Sequence, residues 1–399
     1  MLSRFAVSVS LAALLILPVA AQDADPYFPP PGTAWETISP TEAGFEPARL
    51  QVAIDFAIEH ETAFDWDEEG TFDARDLSLV QAMNRAREPH SSPIGLIEPR
   101  GAPTGLILRH GRIVAEWGEP FEVDMTFSVS KTFLSHVIGL AVEDGLIDDV
   151  QDRAGDYVPY LFEDPHNAPI TWDQLLRQTS GWTGTLHDKP DWADRPGENG
   201  WSDLLAGPPV PGEHWEYNDV RVNLLALATL EVIRQPLPDV LRTRIMGPIG
   251  ASDTWHWEGY DNSWVDIDGQ QVQSVAGGGH WGGGMFISAR DQARFGLLGL
   301  HRGNWDGTQL LATSWYEAAL TPTTTQPYYG FMNFFLGSVH PRATHAPEGS
   351  WLYLGAGSNI IFVDPTHDMV AVVRWIDYRQ QDEFLRLLME ALVMEAIEE

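Results

Sequence analysis

Ser128 and Lys131 stand three residues apart in Phe127-Ser128-Val129-Ser130-Lys131, the spacing that puts two side chains on one face of a helix. A serine hydroxyl needs a base before it can attack a carbonyl carbon, and a desolvated lysine that gives up its proton can serve. A helix beginning here would add partial positive charge that favours the developing alkoxide. Ser130 is the rival serine, but as the immediate neighbour of Lys131 it points elsewhere on the helix. Among the 24 basic residues, only Lys131 and Lys189 are lysine and the rest are arginine. Arginine cannot lose its proton and lysine can, so a lysine kept in this composition suggests proton transfer. A Ser three residues ahead of a Lys is expected by chance about 0.1 times in a chain of this composition, so the pair is not decisive alone.

Two later segments could join it. Tyr217-Asn218-Asp219 follows a Pro/Gly-rich loop and precedes an apolar helical stretch, which reads as a loop tyrosine with Asp219 in the capping region. Leu354-Gly355-Ala356-Gly357-Ser358 precedes the apolar run Asn359 to Val363, and small residues at a strand start let a backbone approach a ligand closely.

These residues need elements to hold them. Helical spacing covers 46–60, and the run from Phe127 to Glu143 is apolar around most of its circumference, predicting a helix buried on several sides and stopped by Gly145. Leu106 to Arg109, His110-Gly111 and Ile113 to Trp117 read as a hairpin. Short helical stretches at 172–178, 220–234 and 239–246 alternate with Pro/Gly-rich loops, and helical pattern returns at 289–302. Strand-like runs follow at Phe334 to Val339, Asn359 to Val363 and Met369 to Ile376, with a closing helix from about Gln380. The expectation is an α+β fold: one antiparallel sheet built from both ends of the chain and flanked by helices, with a mostly helical inserted subdomain. In residues, the α/β part takes about 22–122 and 289–399, and the helical part about 123–288, all within one domain over 22–399.

The order of these segments resembles the class C β-lactamase and penicillin-binding-protein-like serine hydrolases, which include DD-peptidases, family VIII carboxylesterases and 6-aminohexanoate-dimer hydrolases. The likeness runs from about Thr104 to Ile376. Besides the Ser128/Lys131 motif it takes in Ile170 to Leu176, Thr179-Ser180-Gly181, the loop around Tyr217, Arg242 to Gly250, Gly282 to Gly296 and the last strands. The resemblance implies Ser128 as nucleophile, Lys131 as base or the base's partner, and Tyr217 as proton shuttle to the leaving group. It implies an oxyanion hole from the backbone N–H groups of Ser128, Gly357 and Ser358, with Asp219, Gly355 and Ala356 facing the substrate. Two departures bear on the substrate. Asp219 stands where the family usually has Asn, and an ionised carboxylate cannot donate a hydrogen bond. Gly355-Ala356-Gly357 stands where many members have Lys-Thr-Gly or His-Thr-Gly, so the cation that meets a β-lactam or peptide carboxylate is missing unless Arg221 or Arg374 replaces it. The expected activity is therefore ester or amide hydrolysis through an acyl-Ser128 intermediate, carboxylesterase-like. The alternatives are a β-lactamase or DD-peptidase, or a penicillin-binding-like module without turnover.

Composition narrows the remaining classes. The formal charge of −33 repels phosphate backbones, which argues against a nucleic-acid partner. There is no cysteine, hence no disulfide and no thiolate metal site. The 13 histidines do not form His-x-x-x-His beside a Glu, and no Gly-x-Ser-x-Gly is present for a Ser-His-Asp triad. His280 reads as a structural or surface histidine that could line the cleft. The acidic cluster at 65–69 lacks the ligand order of a calcium loop. No cofactor or metal is expected, and the expected partner is a small ester or amide. Trp182, Trp215, Trp281 and Trp351 lie near the motifs and hint at an apolar cleft. Arg4, the apolar run Phe5 to Ala20 and Val19-Ala20-Ala21 read as a signal peptide over 1–21, so the expected location is periplasmic or secreted, with no membrane anchor after cleavage.

Overall fold

The computed structural model describes residues 26–63, 89–194 and 207–393. The expected signal peptide and the acidic cluster at 65–69 lie outside the described residues. In chain order the elements that matter for the site are helix α1 (Pro47–Glu59), strands β1 (Thr104–Arg109), β2 (Arg112–Trp117) and β3 (Asp124–Met125), and helix α2 (Ser130–Glu143). Helices α3 (Trp172–Leu176) and α4 (Asp219–Ile233) follow, then strands β4 (His256–Ile267), β5 (Gln270–Val275) and β6 (Gly284–Ile287) and helix α5 (Ala289–Leu300). The chain closes with strands β7 (Phe334–Phe335), β8 (Trp351–Gly355), β9 (Asn359–Asp364), β10 (Met369–Arg374) and helix α6 (Gln381–Glu390).

The main sheet is antiparallel with the order β7-β8-β9-β10-β1-β2, so strands from both ends of the chain meet at the β10/β1 pair, as expected. Both faces are covered. Ile360, Phe362, Ala371 and Val373 pack with Leu50, Ala53 and Ala57 of α1 and with Phe384, Leu385 and Leu388 of α6. Ile361, Val363, Val370 and Val372 face the larger core that holds Phe295 and Leu298 of α5 and most of α2 and α4. Double coverage explains why β9 and β10 are apolar runs rather than alternating ones. Every residue of α2 from Ser130 to Ala141 is buried, which is the environment its all-round apolar surface demands.

The middle of the chain is not wholly helical. A second antiparallel sheet, ordered β3-β6-β4-β5, occupies part of the segment assigned to the helical subdomain. Its strands escape a reading by hydrophobic pattern because β4, HWEGYDNSWVDI, has a register shift between Gly259 and Trp264 and carries Gly, Asp and Asn inside. The run at 334–339 is also shorter than its pattern suggests: after Phe335 the chain turns into a 3-10 turn at Gly337–Val339. Conversely β8 is a full strand, and its pairing of Gly355 with Asn359 across a three-residue turn brings the small-residue segment to the sheet end.

Several motif residues hold the frame. Thr171 and Gln174 form a reciprocal cap at the start of α3. Ser288 caps α5, and Arg294 donates to the carbonyls of Pro29, Pro30, Gly32 and Ile249, tying the segment 29–32 to the body.

Candidate active site

Ser128 sits in a 3-10 turn, Phe127–Val129, that feeds directly into α2. Phe127 has φ of +52°, a left-handed conformation that a bulky residue adopts only under constraint. The constraint is visible: its ring is buried with Met125, Phe286 and Trp375. The result is a sharp corner in which Phe127 and Val129 are buried while Ser128 between them stays half-exposed. Ser130 has no such freedom. Its hydroxyl donates to Phe127 O at 2.6 Å and accepts from Met285 N–H at 2.7 Å, stapling the corner to β6.

Lys131 Nζ donates to Ser128 Oγ at 2.8 Å, the contact that the three-residue spacing predicts. It also lies 2.6 Å from Asp219 Oδ1, and both side chains are 1% exposed. Lys131 is thus not a lone desolvated amine, because the cost of burying its charge is offset by an ion pair. The ammonium lies over the Tyr217 ring, 4.6 Å from its centroid. A Cβ at Gly278 would collide with both Lys131 Nζ and Asp219 Oδ2, so a larger residue there would displace the pair from this arrangement.

Tyr217 is held from both sides in sequence. Glu216 N–H donates to Gln178 O, and Asn218 N–H donates to Gln178 Oε1, each at 2.9 Å. Gln178 precedes Thr179-Ser180-Gly181, and Thr179 O accepts from Gly212 N–H at 2.8 Å, so residues 178–179 anchor the tyrosine loop. The helix cap is Asn218, whose side chain accepts from Arg221 N–H, while Asp219 is the first residue of α4. Asp219, expected in the capping region and facing substrate, instead directs its carboxylate onto Lys131.

On the other wall, β8 ends against the nucleophile. A Cβ on Gly355 would collide with Thr126 O and lie 3.2 Å from Ser128 N, so glycine permits this approach. Ala356 is half-buried, and Gly357 and Ser358 are buried in the following turn, where Ser358 Oγ accepts from Gln381. The structure therefore brings Ser128, Lys131, Tyr217, Asp219 and Gly355 together, with Ala356, Gly357 and Ser358 on the turn beyond.

Neither arginine considered as a carboxylate binder is placed for it. Arg221 donates to Trp182 O and to Glu216 at 2.6 Å, with Asp191 at 3.6 Å. Arg374 donates to Asn359 Oδ1, Ile287 O and Met125 O, and is 2% exposed. Of the four tryptophans near the motifs, Trp182, Trp281 and Trp351 are core residues. Trp215 is half-buried and joins an aromatic group with Tyr217, Tyr328 and Tyr329.

Sequence reasoning missed Asp194 and Gly278 and read His280 as a structural or surface histidine that could line the cleft. Asp194 accepts the Asp219 backbone N–H through Oδ2, and its Oδ1 lies 3.0 Å from His280 Nδ1. The run Gly277-Gly278-Gly279 before His280 was the available signal, since consecutive glycines mark close backbone approach. Among the described residues, no cluster of three or more His, Asp or Glu is arranged to hold a metal ion, and no helix is long and apolar enough to cross a membrane.

The family model for β-lactamase matches residues 106–376. A 6-aminohexanoate-dimer hydrolase from Paenarthrobacter ureafaciens is 24% identical over 294 residues, covering 67% of this chain and 70% of its own. Among solved structures, a Bacillus anthracis protein named for the same dimer hydrolase superposes with a TM-score of 0.55 at 17% identity, over 82% of this chain and 84% of its own. A family VIII carboxylesterase superposes with a TM-score of 0.53 at 15% identity, over 73% of this chain and 92% of its own. These likenesses give the fold as β-lactamase/transpeptidase-like, with antiparallel sheets and several helices.

Proposed function

This chain belongs to the β-lactamase family, whose fold hosts esterases and amidases, and we propose that it is a serine hydrolase cleaving neutral esters or amides through an acyl-Ser128 intermediate. The observation that carries the reading is Lys131 Nζ at 2.8 Å from a half-exposed Ser128 Oγ and 2.6 Å from a buried carboxylate. Such a pair holds one proton between two groups. In the form with that proton on Asp219, Lys131 is an amine; it takes the Ser128 proton as Oγ bonds to the substrate carbonyl carbon. The oxyanion is held by backbone N–H groups of Ser128 and of the 357–358 turn. On collapse the proton passes from Lys131 through the Tyr217 hydroxyl to the leaving oxygen or nitrogen. Water then attacks the acyl carbon, gives its proton to the same groups, and the acid leaves as Ser128 recovers its own.

The engagement of Arg221 and Arg374 within the protein supports a carboxylesterase-like preference over a β-lactamase or DD-peptidase one. A missing charge-assisted contact to a substrate carboxylate is worth about 1.5–3 kcal/mol, or roughly tenfold to a hundredfold in discrimination. Neutral esters lose nothing. Steady-state kinetics on p-nitrophenyl butyrate and a chromogenic cephalosporin should give the higher kcat/KM for the ester, with Ser128→Ala inactive on both. A higher value for the cephalosporin would put the β-lactamase reading first.

A further inference from the structure

Asp194 lies at the end of the 3-10 turn Asp191–Ala193 and is 0% exposed. A carboxylate removed from water costs several kcal/mol unless its partners compensate. Two of its partners belong to different walls of the Lys131 pocket. One is the backbone N–H of Asp219, the first residue of α4, whose own carboxylate meets Lys131. The other is His280 Nδ1, two residues past Gly278, where a Cβ would collide with Lys131 Nζ and the Asp219 carboxylate. The His280 ring is 2% exposed and packs on Trp281 at 4.2 Å between centroids. The same loop is tied to α4 a second time, by Gly277 N–H donating to Asn223 Oδ1 at 2.8 Å.

We propose that Asp194 and His280 form a buried positioning dyad that clamps the start of α4 to the glycine loop and thereby fixes the Lys131–Asp219 pair against Ser128. The proposal rests on the serine-hydrolase reading of that pair. Asp194 meets the pair at the Asp219 backbone N–H, so it acts on geometry and on charge. Its charge reaches the pocket: Tyr260, buried beside it, has its phenol pushed upward by burial first, then by Asp219, with Asp194 adding to it. The charged and titratable groups around the pair are thus Asp219, Asp194, His280, Tyr217 and Tyr260, with Asp191 and Arg221 on the flank. A carboxylate facing two donors cannot be replaced by an amide without turning one acceptor into a donor. A histidine used as a single Nδ1–H donor can be replaced by asparagine, whose amide reaches a similar point.

The test is the rate at which a fluorophosphonate labels Ser128, followed by mass spectrometry across pH in native protein, His280→Ala, His280→Asn and Asp194→Asn. In His280→Ala the limiting labelling rate should fall about tenfold to a hundredfold with half-saturation unchanged within about twofold, the signature of a misplaced base rather than lost binding. His280→Asn should recover to within about threefold of native. Asp194→Asn should move the acid limb of the rate profile to lower pH by about half a unit or more, because removing an anion disfavours the protonated pair. A His280→Ala rate equal to native, a His280→Asn variant as slow as His280→Ala, or an unmoved limb in a folded Asp194→Asn protein overturns the dyad. Should Asp194→Asn fail to fold, the two His280 variants decide. Native protein that is not labelled at Ser128 would refute the serine-hydrolase reading itself, whereas labelled native protein with unaffected variants refutes only the dyad.

Discussion

Lys131 and Lys189 are both buried, yet their surroundings give them different work. Lys189 Nζ donates to the carbonyls of His90 and Ser92 at 2.8 and 2.6 Å and lies over the Trp281 ring. That is a compact cation gathering acceptors, which an ammonium does with its three donors. Lys131 instead faces a hydroxyl and a carboxylate. Scarcity of lysine therefore does not by itself identify a base; the partners do. Lys131→Arg should be nearly as inactive as Lys131→Ala in ester turnover, since a guanidinium does not release its proton. A near-native rate in the Arg variant would mean that only positive charge is needed. Ser128, Lys131 and Tyr217 were legible as residue types in a telling order. Asp194 and His280 were not, because their meaning arises from contacts among 194, 219 and 280 that no local pattern encodes.

At the scale of elements, the corner before α2 depends on Ser130 as much as on Ser128. Removing the Ser130 hydroxyl leaves the buried Met285 N–H without the acceptor that joins the corner to β6. Ser130→Ala should lose about 1–3 kcal/mol of stability in denaturant unfolding while labelling at Ser128 persists. Loss of labelling in a folded Ser130→Ala protein would give Ser130 a part in the chemistry. Elements that are buried on both faces, such as β9, β10 and α2, declare themselves as apolar runs. Elements such as β4, which mix Gly, Asp and Asn into a strand held by a register shift, are fixed by pairing with β5 and β6 rather than by pattern. The strained φ of Phe127 is likewise set by its pocket of Met125, Phe286 and Trp375, not by its own preference.

At the scale of the whole molecule, one buried and two half-buried histidines should make the fold sensitive to acid. His136 in α2 donates from Nδ1 to Thr132 O and accepts at Nε2 from the Tyr316 hydroxyl, a neutral tautomer with both nitrogens satisfied. Burial lowers it to about 4, and burial also brings His187 and His340 to about 4. In the unfolded chain these groups take up protons below their ordinary value near 6.5. The folded state resists until about 4, so the stability these groups contribute is fully present above about 6.5 and is lost as pH falls from there toward 4. Each such histidine contributes a slope of up to about 1.4 kcal/mol per pH unit. Unfolding free energy measured from pH 8 to 4 should decline through that window, and His136→Leu should flatten the decline by about one proton's worth. Equal slopes in the two proteins would show that His136 is protonated in the fold.

The central claim is that Ser128 is the nucleophile, and one measurement meets it directly: intact mass and peptide mapping after exposure to a fluorophosphonate, on native protein, Ser128→Ala and Ser130→Ala. The serine oxygen displaces fluoride from phosphorus, so one phosphonyl adduct should appear on the peptide containing Ser128 in the native and Ser130→Ala proteins, and none in Ser128→Ala. An adduct of equal extent in Ser128→Ala, or one that maps to another serine, would contradict the account.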